Sequence, residues 1–185
     1  MFIARPKRRQ SGFTLVELLI VAIILAILAA IIIPQFASTT VDAQEAALRS
    51  NVSAMRSAID LYRQQHGTYP GKNAATGGTC PGGTAGTGAA GTQQALEDQL
   101  TRYSNSLGQT CSLPLAGFSF GPYVQDDDIP ANPITGSNVV AIVDTGNLEM
   151  TADGAGLGWK YDTTAGKFIV NDTSNDSKGV PYASY

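Results

Sequence analysis

The sequence predicts an α+β fold in which one long N-terminal helix packs against a small antiparallel β-sheet near the C-terminus. An unbroken apolar run occupies residues 18–33, a helical stripe of apolar residues continues to His66, and short β-like segments occupy residues 139–171. Apolar residues spaced three and four apart indicate an amphipathic helix, whereas short runs of β-branched and aromatic residues between turn signals indicate strands.

The N-terminus combines a basic leader with a segment long enough to cross a membrane. The first twelve residues carry four basic side chains and no acidic one. Positive charge beside an apolar segment stays on the cytoplasmic side, so the rest of the chain is predicted to face outward. Residues 13–33 make roughly 30 Å of helix, enough to span the hydrocarbon core. The one acid within this segment is Glu17, and Pro34 lies just behind it.

Two other interpretations of this N-terminus are a secretory signal peptide cut near Ala29 and Ala30, and a plain signal anchor. Neither of them needs an acid at the start of the apolar segment. A carboxylate within a membrane segment is costly and usually has a partner. Glu17 is the fifth residue after the Gly12–Phe13 bond, a placement that neither alternative explains.

Residues 12–17 read Gly-Phe-Thr-Leu-Val-Glu, and the apolar run and Pro34 follow them. This arrangement closely resembles the N-terminus of type IV prepilins and type II secretion pseudopilins. The resemblance implies that a prepilin peptidase cuts after Gly12 and that the new amine of Phe13 is methylated. It further implies that Glu17 is the counter-ion of this amine in a neighbouring subunit. Pro34 belongs to the family pattern, and a proline inside a helix favours a kink or local melting.

The resemblance implies the type IV pilin fold, in which the long helix has a transmembrane half and an amphipathic half. The apolar stripe predicts that the helix continues to His66 and that Gly67 ends it. Residues 58–70 contain an Asp-Leu-Tyr run followed by Tyr-Pro, and they resemble the end of the long helix in major pseudopilins. The predicted organisation is a removed leader (1–12), a transmembrane and assembly helix (13–36), an amphipathic half (37–66) and a globular head (67–185).

The head begins with a segment rich in glycine, threonine and alanine, residues 71–92, which contains eight glycines. Such a composition buries little apolar surface and predicts a mobile loop or surface insertion. It lacks the Gly-Lys-Ser/Thr ending of a phosphate-binding loop. A short helix is predicted over residues 93–103, with Thr92 as its N-cap.

The two cysteines, Cys80 and Cys111, are predicted to form a disulfide. The topology inferred from the leader places the head on the exported, oxidising side, where disulfides persist. Free thiols and intermolecular pairing are the alternatives. One distant histidine and two cysteines make a poor metal site.

Three strands are predicted at residues 139–143, 158–162 and 166–170, and they suggest a three-stranded antiparallel sheet packed on the second half of the long helix. The Trp-x-Tyr pair and the last hairpin resemble those of pseudopilin heads. A Pro-x-Asn-Pro-x-x-Gly segment, residues 130–136, resembles a pseudopilin loop, although Asn132 replaces the aspartate of the family pattern.

The charge and the residue composition of the chain limit which functions it can have. The whole chain has a net charge of −3, and after residue 12 there are eight basic and fifteen acidic residues. No basic stripe supports nucleic-acid binding. One histidine and no Ser/His/Asp arrangement predict that the chain is not an enzyme. Calcium prefers oxygen ligands from several acids, so we treat it as a weak candidate cofactor. Its candidate ligands are Asp126, Asp127, Asp128 and Asp153.

The resemblance implies a single-pass protein of the bacterial inner membrane that self-associates, with other pilins, into a periplasmic or cell-surface filament. A prepilin peptidase and an inner-membrane assembly platform are the implied partners. The helix end and the last hairpin favour a type II secretion pseudopilin, whereas the cysteine pair favours a type IV pilus pilin for adhesion, motility or uptake. A membrane-anchored binding protein that does not polymerise is the alternative from another class.

Overall fold

A computed structural model describes residues 12–154 and 157–185. The chain divides into two compact units, of which the first ends at Val41 and the second is Asp42–Tyr185. The elements in chain order are α1 (Leu15–His66), α2 (Gln93–Thr101), β1 (Tyr103–Ser104), β2 (Thr110–Cys111), β3 (Val140–Val143), β4 (Trp159–Asp162), β5 (Phe168–Val170) and a 3₁₀ turn (Tyr182–Ser184).

The first unit consists of the N-terminal part of α1, whose apolar side chains are exposed. Each leucine, isoleucine and valine side chain between Leu15 and Ile33 has at least 44% of its surface accessible. The helix begins at Leu15, two residues later than predicted. Leu15–Ile33 is long and apolar enough to cross a membrane.

The second unit is built around the later part of α1, whose predicted apolar stripe forms one side of the core. Leu48, Val52, Met55, Ile59 and Tyr62 are all buried. The helix ends at His66 as predicted. The next residue, a glycine, adopts a φ of 73°, which is the left-handed conformation expected at a helix C-terminus.

The main sheet has the strand order β3-β4-β5 and lies against this stripe. Strands β4 and β5 are antiparallel as predicted, with Trp159 opposite Val170. Strands β3 and β4 are parallel, so the prediction of a fully antiparallel sheet is wrong. The connection over residues 144–158 is long enough to return the chain to the starting edge, as a parallel pair requires.

The parallel pairing brings the carboxyl ends of β3 and β4 to the same edge of the sheet. Thr145, just after β3, donates its hydroxyl to Asp162 Oδ2 at 2.6 Å. The backbone N–H groups of Thr164 and Ala165 donate to the other carboxylate oxygen, at 2.8 and 2.9 Å. Burial alone would raise the pKa of Asp162, but these hydrogen bonds together hold it below its usual value. The carboxylate therefore fixes both the crossover and the hairpin turn.

The Pro-x-Asn-Pro segment anchors the start of β4. Asn132 is fully buried, and its amide donates to the Gly158 carbonyl at 2.9 Å. The Asn132 side-chain oxygen accepts from the Ile134 N–H at 2.8 Å. The indole N–H of Trp159 donates to the Pro130 carbonyl at 2.8 Å. Asparagine thus uses both its donor and its acceptor here, which an aspartate could not do.

The glycine-rich segment, predicted as a mobile loop or surface insertion, forms backbone hydrogen bonds with the rest of the head. Ala75 N–H donates to the Gly88 carbonyl at 2.9 Å, and Gly86 N–H donates to the Thr110 carbonyl at 3.0 Å. A Cβ at Gly88 would lie 2.1 Å from the Ala95 nitrogen. The glycines therefore allow backbone to approach backbone, a stabilising role that composition alone did not reveal.

The two cysteines form the predicted disulfide. Cys80 and Cys111 are bonded with their Cα atoms 5.5 Å apart. The disulfide joins the glycine-rich segment to β2. Helix α2 begins after Thr92, whose hydroxyl oxygen accepts from the Ala95 N–H at 3.2 Å, as predicted for an N-cap. It ends at Thr101 rather than at Tyr103, which starts β1.

A buried carboxylate on α2 holds the glycine-rich segment in place. Asp98 is 1% exposed, and its Oδ2 accepts from the N–H groups of Thr87 at 2.8 Å and Gly88 at 2.9 Å. Its Oδ1 lies 3.3 Å from Arg102 Nε. Hydrogen bonds to an ionised acceptor are the stronger kind, and a buried N–H without a partner is costly. Asp98 therefore substitutes for the apolar contacts that the segment lacks.

We expect Asp98→Ala to lower the free energy of unfolding by about 3 kcal/mol, because it leaves two buried backbone N–H groups without an acceptor and removes the ion pair with Arg102. Denaturant unfolding of the full chain in detergent, followed by the fluorescence of the single tryptophan, Trp159, measures this loss. Asp98→Asn keeps an acceptor and should lose less. Glu149→Ala, an exposed control, should stay within about 0.5 kcal/mol of wild type. Equal stability of Asp98→Ala and wild type would contradict this role.

The single histidine closes the C-terminal end of α1. The His66 ring stacks on Tyr62 with centroids 3.9 Å apart, and it packs edge-to-face with Phe120, with ring centroids 5.0 Å apart. Its Nδ1 lies 3.0 Å from the Tyr62 carbonyl, and its Nε2 lies 3.1 Å from the Ser104 hydroxyl. These contacts fit a neutral ring that donates from Nδ1 and accepts at Nε2. Burial lowers the pKa of His66, although its backbone hydrogen bonds oppose the shift.

The lowered pKa makes stability depend on pH. The unfolded chain, with a histidine pKa near 6.5, binds the proton more readily than the folded one. The stabilisation is therefore complete above about pH 6.5 and is lost as the pH falls from there through the lower folded pKa. Unfolding of the full chain in detergent at pH 7.5 and 5.5 should show this loss, and His66→Gln should show a smaller pH dependence. An identical pH dependence in both proteins would rule out this origin.

Candidate processing and assembly site

The start of α1 forms a capping box between Thr14 and Glu17. The Thr14 hydroxyl oxygen accepts from the Glu17 N–H at 3.2 Å. Glu17 Oε2 accepts from the Thr14 N–H at 2.8 Å and from the Thr14 hydroxyl at 2.8 Å. This reciprocal pattern satisfies two N–H groups that the first turn of a helix otherwise leaves free. Thr-x-x-Glu is the sequence signature of this motif, although the prediction for Glu17 concerned only a role between subunits.

The Gly12–Phe13 junction precedes the capping box and is open. Phe13 is 83% exposed, and a Cβ at Gly12 would have no atom within 4 Å. The fold of the described chain therefore does not require glycine at position 12. A requirement for glycine there must come from whatever binds this bond. The predicted leader lies outside the described residues, apart from Gly12.

Glu17 is the one acidic residue on an otherwise apolar surface. Exposed leucine, isoleucine and valine side chains surround it in sequence. No ion pair of Glu17 occurs within residues 12–154 and 157–185, and the first basic residue after it in sequence is Arg49. Two hydrogen bonds from Thr14 reduce the cost of burying the carboxylate in lipid or between helices, but they do not neutralise it.

Pro34 lies inside α1, which is helical on both sides of it. The helix therefore does not end at Pro34. Position 34 follows directly on the apolar stretch Leu15–Ile33. The predicted kink or melting on assembly stays a prediction.

The four calcium candidates are not brought together. Asp126 and Asp127 are exposed, Asp128 accepts from the Asn138 amide at 2.6 Å, and Asp153 lies 3.3 Å from Lys160 Nζ. Within residues 12–154 and 157–185, no three histidine, cysteine or acidic side chains are placed to hold a metal ion. Calcium prefers six to eight oxygen ligands, and its binding to these residues stays a prediction.

The carboxylates at the carboxyl ends of β3 and β4 likewise accept hydrogen bonds from protein donors. Asp144 lies 2.8 Å from Lys72 Nζ, and the Thr164 hydroxyl donates to it. Asp162 accepts from the loop donors described above. These acids organise the loops at the carboxyl ends of β3 and β4.

The family profile described as "Prokaryotic N-terminal methylation motif" matches residues 7–33. The chain carries the N-terminal methylation motif of prepilins. The match covers the second half of the leader, the Gly12–Phe13 junction, Glu17 and the apolar run, and it ends directly before Pro34. It therefore confirms the resemblance that these residues suggested.

Several curated proteins are similar to part of the chain. Type II secretion system core protein G of Pseudomonas aeruginosa is 39% identical over 64 residues, which are 35% of this chain and 45% of that protein. The protein of the same name from Aeromonas hydrophila has the same identity and coverage. The Fimbrial protein of Neisseria meningitidis serogroup B is 40% identical over 68 residues, 37% of this chain and 40% of that protein. The chain thus spans less than half the length of these relatives. No solved structure gave a significant match.

Proposed function

We propose that this chain is a structural subunit of a type IV pilus-like filament, stored in the bacterial inner membrane and polymerised through its N-terminal helix. The observation that carries the proposal is the exposed apolar surface of Leu15–Ile33, whose one carboxylate, Glu17, lies within the methylation motif. Lipid covers this surface before assembly, and the helices of neighbouring subunits cover it afterwards. In both environments the helix satisfies its own backbone hydrogen bonds, as a membrane-spanning segment requires.

Processing supplies the missing positive charge in this proposal. A prepilin peptidase cuts after Gly12, facing a junction that is exposed and unobstructed. The cut converts the Phe13 peptide nitrogen into an amine, which is cationic and then methylated. The residues 1–12 that leave include all four basic side chains of the leader. The new amine is therefore the nearest cation in the sequence to Glu17.

The amine of one subunit then pairs with Glu17 of a neighbour. A carboxylate without a cation is costly in an apolar bundle, whereas a paired one recovers part of its desolvation cost. The Thr14 hydrogen bonds point the carboxylate towards the N-terminal end of the helix, where a neighbour's amine arrives. Removing either partner would strand the other, so the pair favours one register between subunits.

We further propose that the filament is the short periplasmic one of a type II secretion system, and that it assists protein export. The similarity to core protein G of two bacteria supports this choice. The other pseudopilins, the prepilin peptidase and an inner-membrane assembly platform are the proposed partners. A type IV pilus pilin is the second candidate, which the similarity to a fimbrial protein supports.

The precursor should be shortened in cells that contain a prepilin peptidase. Intact mass and N-terminal analysis of membrane-extracted protein should show a chain that starts at methylated Phe13. Gly12→Leu should leave the full precursor in the membrane, because a bulky side chain blocks close approach of the peptidase to the backbone. A wild-type chain that starts at Met1, or after Ala30, would contradict the proposal and indicate an anchor or a signal peptide.

Two substitutions separate the charge of Glu17 from its capping role. Glu17→Gln keeps hydrogen-bond acceptors for Thr14 but loses the charge, so it should be inserted and processed yet assemble at least about tenfold less filament. Thr14→Ala weakens the cap by about 1 kcal/mol but keeps the carboxylate, so it should assemble far better than Glu17→Gln. Sheared-filament yield, normalised to processed subunit in the membrane, measures both. Normal filament yield from Glu17→Gln would eliminate the counter-ion role.

A further inference from the structure

A basic groove runs along one side of the head, between α1 and the outer edge of β5. It consists of two cavities of about 460 and 360 Å³ that share Arg56, Asp60 and Tyr185. Residues 166–169 form one wall, and strand β5 is the edge of its sheet, so this wall faces away from β4. The exposed side of α1 around Ser53 and Ser57 continues the groove.

Two basic side chains of the groove have no acidic side chain as a partner. Arg56 Nε donates to the Phe168 carbonyl at 3.0 Å, and another guanidinium nitrogen donates to the main-chain oxygen of Tyr185. Lys167 Nζ donates to the Leu148 carbonyl. Neither Arg56 nor Lys167 forms an ion pair with a side chain in the described part of the chain, whereas Arg49, at the far end, is paired with Asp176 at 2.9 Å. Among the described side chains that line the groove, these two bases outnumber the one acidic side chain, Asp60.

An acidic loop, residues 125–128, carries the opposite charge on another part of the head. All four of its residues are exposed. Asp126 and Asp127 form no ion pair in the chain as described. Asp127 borders a separate cavity beside Thr84 and Arg102, which has no residue in common with the groove.

Negative charge is concentrated around this loop. Burial, and after it the proximity of Asp128, raise the pKa of Glu97 on the adjacent α2 helix, although a hydrogen bond from Gln93 opposes the shift. After residue 12 the chain has eight basic and fifteen acidic residues. Identical heads with this excess of negative charge repel one another when they pack side by side, unless acidic side chains of one head contact basic side chains of the next.

We propose that the basic groove of one head receives the acidic loop of a second copy. The two surfaces are different and complementary, so the contact is heterologous: each copy offers its groove to one neighbour and its loop to another. Such a contact extends into an open helical array when the rotation between copies does not close a ring. The inference rests on the proposed function, because it describes how the heads meet within the filament.

The sign of each charge in the groove predicts its effect. Lys167 attracts the loop, so Lys167→Glu should weaken the contact. Asp60 repels it, so Asp60→Asn should strengthen the contact. Arg56 is unsuitable for the test because its bond to Phe168 also holds the edge of the sheet. Lys178, an exposed base outside both surfaces, provides a matched control for charge reversal.

The decisive experiment is a charge exchange between two full-length variants made in the same cells. One carries Lys167→Glu, and the other carries Asp126→Lys with Asp127→Lys. Each alone places like charges at every contact, and about tenfold less sheared filament is expected per processed subunit. Made together, they restore opposite charges wherever the two variants alternate. Filament yield should return to within about twofold of wild type, with the two variants present in equal amounts.

The controls separate this contact from the proposed function. Lys178→Glu should assemble as wild type does, and Asp60→Asn should assemble at least as well. Filaments from wild type but no gain from the mixture, or normal filaments from either variant alone, would overturn the contact and leave the filament function intact. A correctly processed wild-type chain that forms no filament would overturn both.

Discussion

The apolar side chains of Leu15–Ile33 find no cover within the part of the chain that the structure describes. An exposed apolar surface of this extent is unstable in water, so lipid or other protein must always surround it. This constraint explains why the one acid of the segment sits in its first turn rather than at its middle. Near the end of the helix, Glu17 can use Thr14 as a partner and can reach a charge at the membrane surface or on a neighbour.

Two surface segments of the head, residues 71–92 and residues 174–180, have few apolar residues to bury. Buried carboxylates fix the backbone of both segments. Asp98 accepts from the backbone of the glycine-rich segment. Glu45, 4% exposed on α1, accepts from the Ser177 N–H at 2.7 Å, and Asp176 accepts from the Val180 N–H at 2.8 Å. Charge-assisted hydrogen bonds to backbone thus replace hydrophobic packing in segments rich in glycine, serine and threonine.

Local patterns in the sequence predicted local structure well. The stripe from Leu48 to Tyr62, the end of α1 at His66 and the N-cap at Thr92 depend on spacings of a few residues, and the structure confirms all three. The Thr14–Glu17 capping box has an equally local signature, but the prediction for Glu17 concerned only its charge and not its capacity to form hydrogen bonds.

Features that depend on distant residues could not be predicted in the same way. The direction of β3 relative to β4 is decided by the path of residues 144–158, and alternation within each strand is the same for parallel and antiparallel pairing. The packing of the glycine-rich segment depends on Asp98 and on close backbone contacts, neither of which composition can show. The partners of the acidic side chains were likewise not predictable: Asp128 accepts from Asn138, and Asp153 pairs with Lys160, and both partners are several residues away in sequence.

Apolar helices bind one another without specifying a register, because one leucine-rich surface fits another in several positions. In lipid, the hydrophobic effect does not favour helix contact over lipid contact, so packing and polar groups must determine which arrangement forms. The subunit has one acid in its apolar helix, and its head has separate basic and acidic surfaces. These charges are few, but each one disfavours many incorrect arrangements of neighbouring subunits. A wrong register leaves Glu17 without a cation and brings heads of like charge together, and unpaired or like charges are an effective way to reject alternatives. The proposed filament would therefore gain affinity from its helices and its unique geometry from a small number of charged side chains.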